Sequence, residues 1–354
     1  MIDTDQALGA FLPELRAAPW IAVDTEADSL HSYPEKLCLL QISIPGQDVL
    51  VDPLAGLELA PLWEVLGPRE LMLHGCDYDL RLFSKHHGFI PSRLFDTMIA
   101  ARLLGFRQFG LGNLVKDLLG EELEKGSQKA DWSKRPLTPK MEAYARNDTR
   151  CLQPLVELLR AQLVDKGRLS WCEESCARLI EDNTRNEPPD PDRIWRIKRS
   201  SKLSRPAMAV LREIWKWRET EAIRSNRPPF FILRHETLID LAAAAGDGRD
   251  YRRFIPQRFS QRRKRTLLDA LEQGVKCPAD DRPRPLRGKA YHPTEQEKAD
   301  FRKLKDFRDG QAEKLGIDPT LIASKETLEL LTRRENEEAW AGLMNWQRDL
   351  LRSR

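Results

Sequence analysis

Trp20-Ile21-Ala22-Val23-Asp24-Thr25-Glu26 decides how the chain is read. The apolar run is short and ends in charge, which predicts a buried central strand rather than a helix. Side chains alternate along a strand, so Asp24 and Glu26 fall on the same side. Burying two carboxylates that close together is unfavourable unless a cation lies between them. The remaining ligands must come from elsewhere in the chain.

Working outward, Leu8, Phe11, Leu12 and Leu15 recur at helical spacing behind a cap at Thr4 or Asp5, and Pro19 ends that helix. Leu37–Ile44 and Val49–Asp52 read as two further strands joined by the Pro45-Gly46 turn. Leu71–His74 is a short buried strand that passes into a helix from Asp77. Phe95-Asp96-Thr97 ends another extended segment, with Asp96 as the expected cap of the helix Met98–Leu104. A helix over Leu111–Leu119, a polar loop over 121–135 and a long helix from Pro139 follow. Hairpin-like strands followed by alternating helices and strands predict a mixed sheet with helices on its faces.

From Asn183 to Arg199 the composition turns to Pro, Asp, Asn and Arg, and beyond it the pattern is helical. Arg218, Ala222, Pro229, Ile232, Glu236, Thr237, Leu238 and Leu241 recur 90 residues later as Arg308, Ala312, Pro319, Ile322, Glu326, Thr327, Leu328 and Leu331. Both copies read helix, Pro-containing turn, helix, which predicts a duplicated module. The expected layout is a domain over 1–185, a linker over 186–203, helical modules over 204–276 and 294–354, and a second linker over 277–293.

Net charge is +3 over 354 residues, unevenly placed. Residues 1–180 carry 20 Lys and Arg against 26 Asp and Glu, and residues 181–354 carry 38 against 29. This division predicts chemistry in the acidic half and polyanion capture in the basic half. No apolar run approaches the ~18 residues of a membrane span. The first residues, Met1-Ile2-Asp3-Thr4-Asp5, lack the basic-then-apolar order of a signal peptide. Six scattered cysteines with no CxxC pair fit a reducing, cytoplasmic setting and argue against structural zinc.

Two other places supply carboxylates. Asp77 and Asp79 lie where a strand becomes a helix, and Tyr144 and Asp148 are four apart on a helix face. If Asp24, Glu26, Asp79 and Asp148 converge, each close pair repels by roughly 4 kcal/mol at an effective dielectric near 20. Such a cluster needs protons or cations. Oxygen donors with few histidines favour Mg²⁺ or Mn²⁺ over Zn²⁺, and two such ions suit phosphodiester hydrolysis.

Asp24-Thr25-Glu26, His74-x-x-x-x-Asp79-Leu80, Phe95-Asp96-Thr97, Asp131-Trp132-Ser133-Lys134-Arg135-Pro136-Leu137-Thr138 and Tyr144-x-x-x-Asp148, in this order, resemble the ribonuclease D family of the DEDD exonuclease superfamily. The duplicated modules resemble the HRDC domains that follow the nuclease in that family. The resemblance implies a ribonuclease H-like α/β exonuclease domain followed by two all-α HRDC-like modules. It implies 3′→5′ hydrolysis of RNA to nucleoside 5′-monophosphates, with tRNA precursors and structured RNAs bearing 3′ tails as substrates. It makes Asp24, Glu26, Asp79 and Asp148 the ligands of two divalent cations and gives Tyr144 the task of orienting the attacking water. The family commonly has a bulky aromatic after the motif glutamate. Here Ala27 stands there, and His31 and Tyr33 are the nearby substitutes.

For substrate contact, Trp132, Lys134 and Arg135 offer an aromatic and cations near the expected centre, and Arg146 flanks Asp148. Trp132 reads equally well as a core plug. Arg252, Arg253, Arg258, Arg262 and Arg263 are interleaved with Phe254 and Phe259, a mixture suited to RNA backbone contact and stacking. Two other readings stay open: a DNA 3′→5′ exonuclease, and an RNA-binding protein with a relic site.

Overall fold

The computed structural model describes residues 1–352 except 124–125, 186–187, 287–290 and 334–335. Those segments fall in the loop before Trp132, at the start of the first expected linker, in the second expected linker and in the second helical module. They lie outside the described residues. The chain divides into two units. One comprises Met1–Ala27, Leu37–Asn186 and His292–Arg354, the other Asp28–Lys36 and Glu187–Tyr291.

The first unit is built on a five-stranded sheet of order β3-β2-β1-β4-β5. Helix α1 (Asp5–Ala17), capped by the Thr4 hydroxyl, precedes β1 (Ile21–Ala27). β2 (Leu37–Ile44) and β3 (Gln47–Val51) follow as an antiparallel meander. After α2 (Ala60–Leu66), β4 (Glu70–Leu73) returns parallel to β1 on its other side. β5 (Arg93–Asp96), reached through α3 (Asp77–His87), completes the sheet parallel to β4. β1 is therefore central, as its apolar run requires. All eight residues of β2 are buried, because both sheet faces are covered and no polar alternation is needed.

The covering helices are α4 (Thr97–Leu104), α5 (Leu111–Leu119), α6 (Pro139–Arg150), α7 (Leu152–Asp165) and α8 (Leu169–Thr184). Asp96 caps α4, accepting from the amides of Met98 and Ile99 at 2.8 and 3.0 Å. The long helix expected from Pro139 divides at Cys151. Pro154 has no N–H to offer the carbonyl of Arg150, so the backbone restarts and places the proline in the first turn of α7.

The last part of the first unit is helical: α13 (Glu295–Leu315), α14 (Pro319–Ile322), α15 (Lys325–Leu331), α16 (Glu337–Ala341) and α17 (Asn345–Arg352). It packs on the helices beside the sheet. Arg168 donates to the carbonyls of Leu103 and Leu315, each at 2.7 Å, and Trp171 stacks on Trp346 with ring centroids 5.0 Å apart. Gly105, at φ +94°, faces Gly316 so closely that a Cβ would sit 2.2 Å from the Gly316 carbonyl oxygen. Only glycine fits there.

The second unit holds α9 (Arg205–Ser225), α10 (Pro229–Ile232), α11 (His235–Gly246) and α12 (Gln261–Val275) around a core that includes Trp217, Leu238, Leu241 and Leu267. α9, α10 and α11 begin 90 residues before α13, α14 and α15, so the repeat is one of structure as well as sequence. The paired arginines play the same part: Arg218 and Arg308 are both buried, each bonded to the next residue's carboxylate, Glu219 and Asp309. Trp195, inside the stretch read as a linker, is 1% exposed in this core. The excursion 28–36 also belongs here. The Tyr33 hydroxyl donates to Glu219 at 2.5 Å, so this tyrosine is held within the second unit and not free as a substitute wedge.

Candidate metal centre and substrate cleft

β1 presents Asp24 and Glu26 on one face, and α6 lies across that face with Tyr144 and Asp148 one turn apart. One carboxylate oxygen each from Asp24, Glu26 and Asp148 lie within 4.8 Å of one another. Asp79, in the first turn of α3, is 7% exposed and outside this trio: it accepts a short hydrogen bond from the Thr25 hydroxyl. Its charge is nevertheless felt by both Asp24 and Glu26.

The electrostatics express the cost of the arrangement. Burial, reinforced by Asp79, Asp148 and Glu26, raises the Asp24 carboxyl well above the usual range. Glu26 is pushed up to about 9 by burial and then by Asp148 and Asp79. Burial takes Asp148 to about 7, the Tyr144 hydroxyl pulling the other way. It takes Asp79 to about 6 against the lowering effect of Thr25. Tyr144 is also raised, by burial and then Asp148, so its phenol stays protonated and donates to that carboxylate. A set of oxygen ligands that binds protons this tightly at neutral pH is one that divalent cations relieve. Among the described residues, this is the acidic grouping with metal-ligand spacing. Hard cations such as Mg²⁺ or Mn²⁺ fit the donors.

The trio opens into a cleft of about 640 Å³ lined also by His74, Met98, Gly110, Leu111, Gly112, Asn113, Gln128 and Tyr144. Reading the sequence missed the Gly110–Asn113 turn. Gly110 is the N-cap of α5 without a side-chain cap, so the first amides of that helix lack helical partners by position. Two glycines around a leucine carry no recognisable motif; only the fold brings them to the cleft. His74 is held by Thr97, Nδ1 to Oγ1 at 2.8 Å.

The expected substrate contacts divide. Trp132 is 1% exposed and packs with Cys38, Leu39, Leu50, Leu137 and Ala145, its ring 6.1 Å from that of Tyr144. It is a core residue that backs the tyrosine and not a stacking platform. Arg135 is consumed by structure: it bonds both oxygens of buried Asp52 at 2.5 and 2.6 Å, and the carbonyls of Cys38, Trp132 and Lys134. Arg146 donates to the Asp48 carbonyl and lies 3.9 Å from Glu142. Lys134 is exposed, 3.8 Å from Asp131. In the second unit Arg262 and Arg263 clamp buried Glu221 at 2.6–3.0 Å, so both guanidiniums already have a carboxylate partner. Arg252, Arg253 and Arg258 remain exposed. The physical reason is common to Trp132, Arg135, Arg262 and Arg263: a buried carboxylate or an unfilled core takes the long side chains nearest to it.

A family model described as 3′-5′ exonuclease matches residues 1–164, and one described as HRDC domain matches 207–247. The chain is 34% identical to a ribonuclease D of Gluconacetobacter diazotrophicus, over 98% of this chain and 89% of that protein. It is 32% identical to a ribonuclease D of Granulibacter bethesdensis, over 99% and 90%. The crystal structure of Escherichia coli RNase D, described as an exoribonuclease involved in structured RNA processing, superposes with a TM-score of 0.75 at 27% identity, covering 94% of this chain and 89% of that one. No helix among the described residues is long and apolar enough to cross a membrane. With an acidic trio and a tyrosine in the cleft of the exonuclease-like domain, and relatives matched over nearly their whole length, the chain belongs to the ribonuclease D family of 3′–5′ exoribonucleases.

Proposed function

We propose that Asp24, Glu26 and Asp148, joined by Asp79, hold two divalent cations, Mg²⁺ or Mn²⁺, and that the cleft receives the 3′ end of an RNA. The single observation that supports this most is the convergence of three carboxylates within 4.8 Å beneath Tyr144. Cations bound there supply the water activation and charge neutralisation of phosphodiester hydrolysis. The chain's own groups do the rest. The Tyr144 phenol, kept protonated, is a donor and not a base; it orients the attacking water while Asp148 fixes the phenol. Trp132 and Ala145, both buried, hold Tyr144 from behind. The amides of Leu111 and Gly112, at the start of α5, are suited to a substrate phosphate.

The activity of the family is 3′–5′ exoribonucleolysis, and the DNA-exonuclease and non-catalytic readings are not favoured. The natural substrates we propose are tRNA precursors and other structured RNAs with single-stranded 3′ tails, processed in the cytoplasm. A 5′-labelled tRNA precursor and a matched DNA, each with and without Mg²⁺, test this. One-nucleotide shortening of the RNA from its 3′ end in Mg²⁺ is expected. Internal cleavage, undiminished activity in excess EDTA, or preference for the DNA overturns it.

A further inference from the structure

The duplicated module uses one turn in two ways. In the second copy the turn after the long helix is covered: the Leu315 carbonyl accepts from Arg168, Gly316 lies against Gly105, and Ile317 is 7% exposed. In the first copy the equivalent residues, Ser225, Asn226 and Arg227, are at least partly exposed. Where the second copy has Thr320 and Leu321 the first has Phe230 and Phe231, which are 46% and 50% exposed. Their ring centroids are 4.6 Å apart at an interplanar angle of 38°. Arg224, Arg227 and Arg234, close by in sequence, are exposed, as is Arg258, which reaches the Phe231 carbonyl at 3.4 Å. The module's buried carboxylates, Glu213 and Glu221, already have their arginines in Arg212, Arg262 and Arg263.

Two water-exposed aromatic rings side by side, with the Arg258 guanidinium at the Phe231 backbone and exposed arginines three residues to either side in sequence, match one ligand chemistry: flat bases to stack on the rings and phosphates to pair with the cations. We propose that Phe230 and Phe231, with Arg227, Arg234 and Arg258, form a contact site for single-stranded RNA. This rests on the exoribonuclease reading and adds to it a stacking site on the first helical module. A purely apolar partner would leave the arginines unmatched, and a duplex would offer the rings no base faces.

The test is fluorescence anisotropy of a labelled single-stranded RNA on the full chain in EDTA, where hydrolysis does not interfere. Phe230→Ala with Phe231→Ala is expected to weaken binding roughly fivefold or more, and Phe→Trp at both positions to restore it. Phe→Leu at both positions, apolar but not flat, is expected to stay weak. Removing Arg227, Arg234 and Arg258 should lower the slope of log K against log salt by roughly 0.7 for each phosphate no longer neutralised. Unchanged melting temperatures identify the weaker affinity as a binding effect. RNA affinity within twofold of wild type in the Ala pair overturns the inference, as does full rescue by leucine, which would mark a protein-docking face. If the wild-type chain neither binds nor hydrolyses RNA, the functional reading itself has failed; if it does both and the Ala pair binds normally, only this inference has.

A separate observation lies in the sheet. Gln41 on β2 is the register partner of Asp24 on β1, so the two side chains leave the same face with Cβ atoms about 5 Å apart. Gln41 is 0% exposed, and among the described residues neither its Oε1 nor its Nε2 has a hydrogen-bond partner. An apolar residue would be the ordinary choice on a strand buried from end to end. We infer that Gln41 is a positioning residue whose amide orients the Asp24 carboxylate when cations are held. Gln41→Met keeps the shape without the amide. Calorimetric titration with Mn²⁺ is expected to show affinity reduced roughly 10-fold or more, while the metal-free melting temperature holds or rises. Unchanged Mn²⁺ affinity, or a melting temperature that falls along with it, overturns the assignment.

Discussion

The hydroxyl of Thr25, buried on the central strand, donates a hydrogen bond to the carboxylate of Asp79, 54 residues away at the start of α3. Thr25 points away from the face that carries Asp24 and Glu26, so the strand serves the acidic centre from both sides. The hydroxyl lowers the Asp79 pKa against the effect of burial. Thr25→Val should therefore strengthen proton binding at Asp79, and protons compete with cations for carboxylates. Mn²⁺ binding by Thr25→Val is expected to be weakened more at pH 6 than at pH 8.5. An equal loss at both values in calorimetric titration would show that the hydroxyl acts in another way.

Removing one carboxylate separates function from stability. Asp24→Asn is expected to abolish hydrolysis, a loss of more than ~10³-fold in kcat/KM. The same change removes a buried carboxyl whose ionisation burial and Asp79, Asp148 and Glu26 all oppose. In EDTA at pH 8 the variant should melt at or above the wild-type temperature. A large drop would mean that Asp24 is chiefly a structural residue.

Metal-free stability should fall as pH rises. Glu26, Asp148 and Asp79 keep protons in the folded chain to about 9, 7 and 6. Unfolded carboxylates release theirs near pH 4. Across that window the folded state binds more protons than the unfolded one, so the contribution is full below pH 4 and is lost as pH climbs through each folded value. Thermal melts in EDTA should decline from pH 5 to pH 9, and saturating Mn²⁺ should flatten the decline. A metal-free melting temperature that climbs over this range contradicts the electrostatics.

Arg135 is expected to matter for folding and not for substrate. Its guanidinium neutralises Asp52, which is 4% exposed and caps the turn after β3. Arg135→Ala should cost about 3 kcal/mol in denaturant unfolding, because a buried carboxylate is left unpaired. KM for RNA measured well below the melting point should be little changed. A rise in KM without loss of stability would return Arg135 to the substrate.

Gly105→Ala tests how the second helical module is attached. Its Cβ would collide with the Gly316 carbonyl, and its positive φ disfavours any side chain. The variant should lose stability and show altered tryptophan fluorescence as the Trp171–Trp346 stack is disturbed. Wild-type fluorescence and melting would mean the interface yields without cost.

What could be read in advance follows from locality. The run ending at Asp24 and Glu26, the Asp96 cap and the helical spacing of Tyr144 and Asp148 are short-range patterns, and each gave its element directly. The 90-residue repeat was legible because the same buried positions recur, Arg218 and Arg308 among them. The structural partners of Trp132, Arg135, Arg262 and Arg263 were not legible, because the core around Leu39, then Asp52 and Glu221, lie far off in sequence. Gly110–Asn113 and Gln41 were missed for the same reason. Nothing local distinguishes a glycine at a cleft, or a buried amide opposite an aspartate, from ordinary turn and strand residues.

The most direct test of the central claim is anomalous diffraction from crystals soaked in Mn²⁺. Two peaks among the carboxylates of Asp24, Glu26, Asp79 and Asp148 are expected, with both weakened or abolished in Asp148→Asn. Full soaking with no peak at these residues, or peaks only elsewhere, would contradict it.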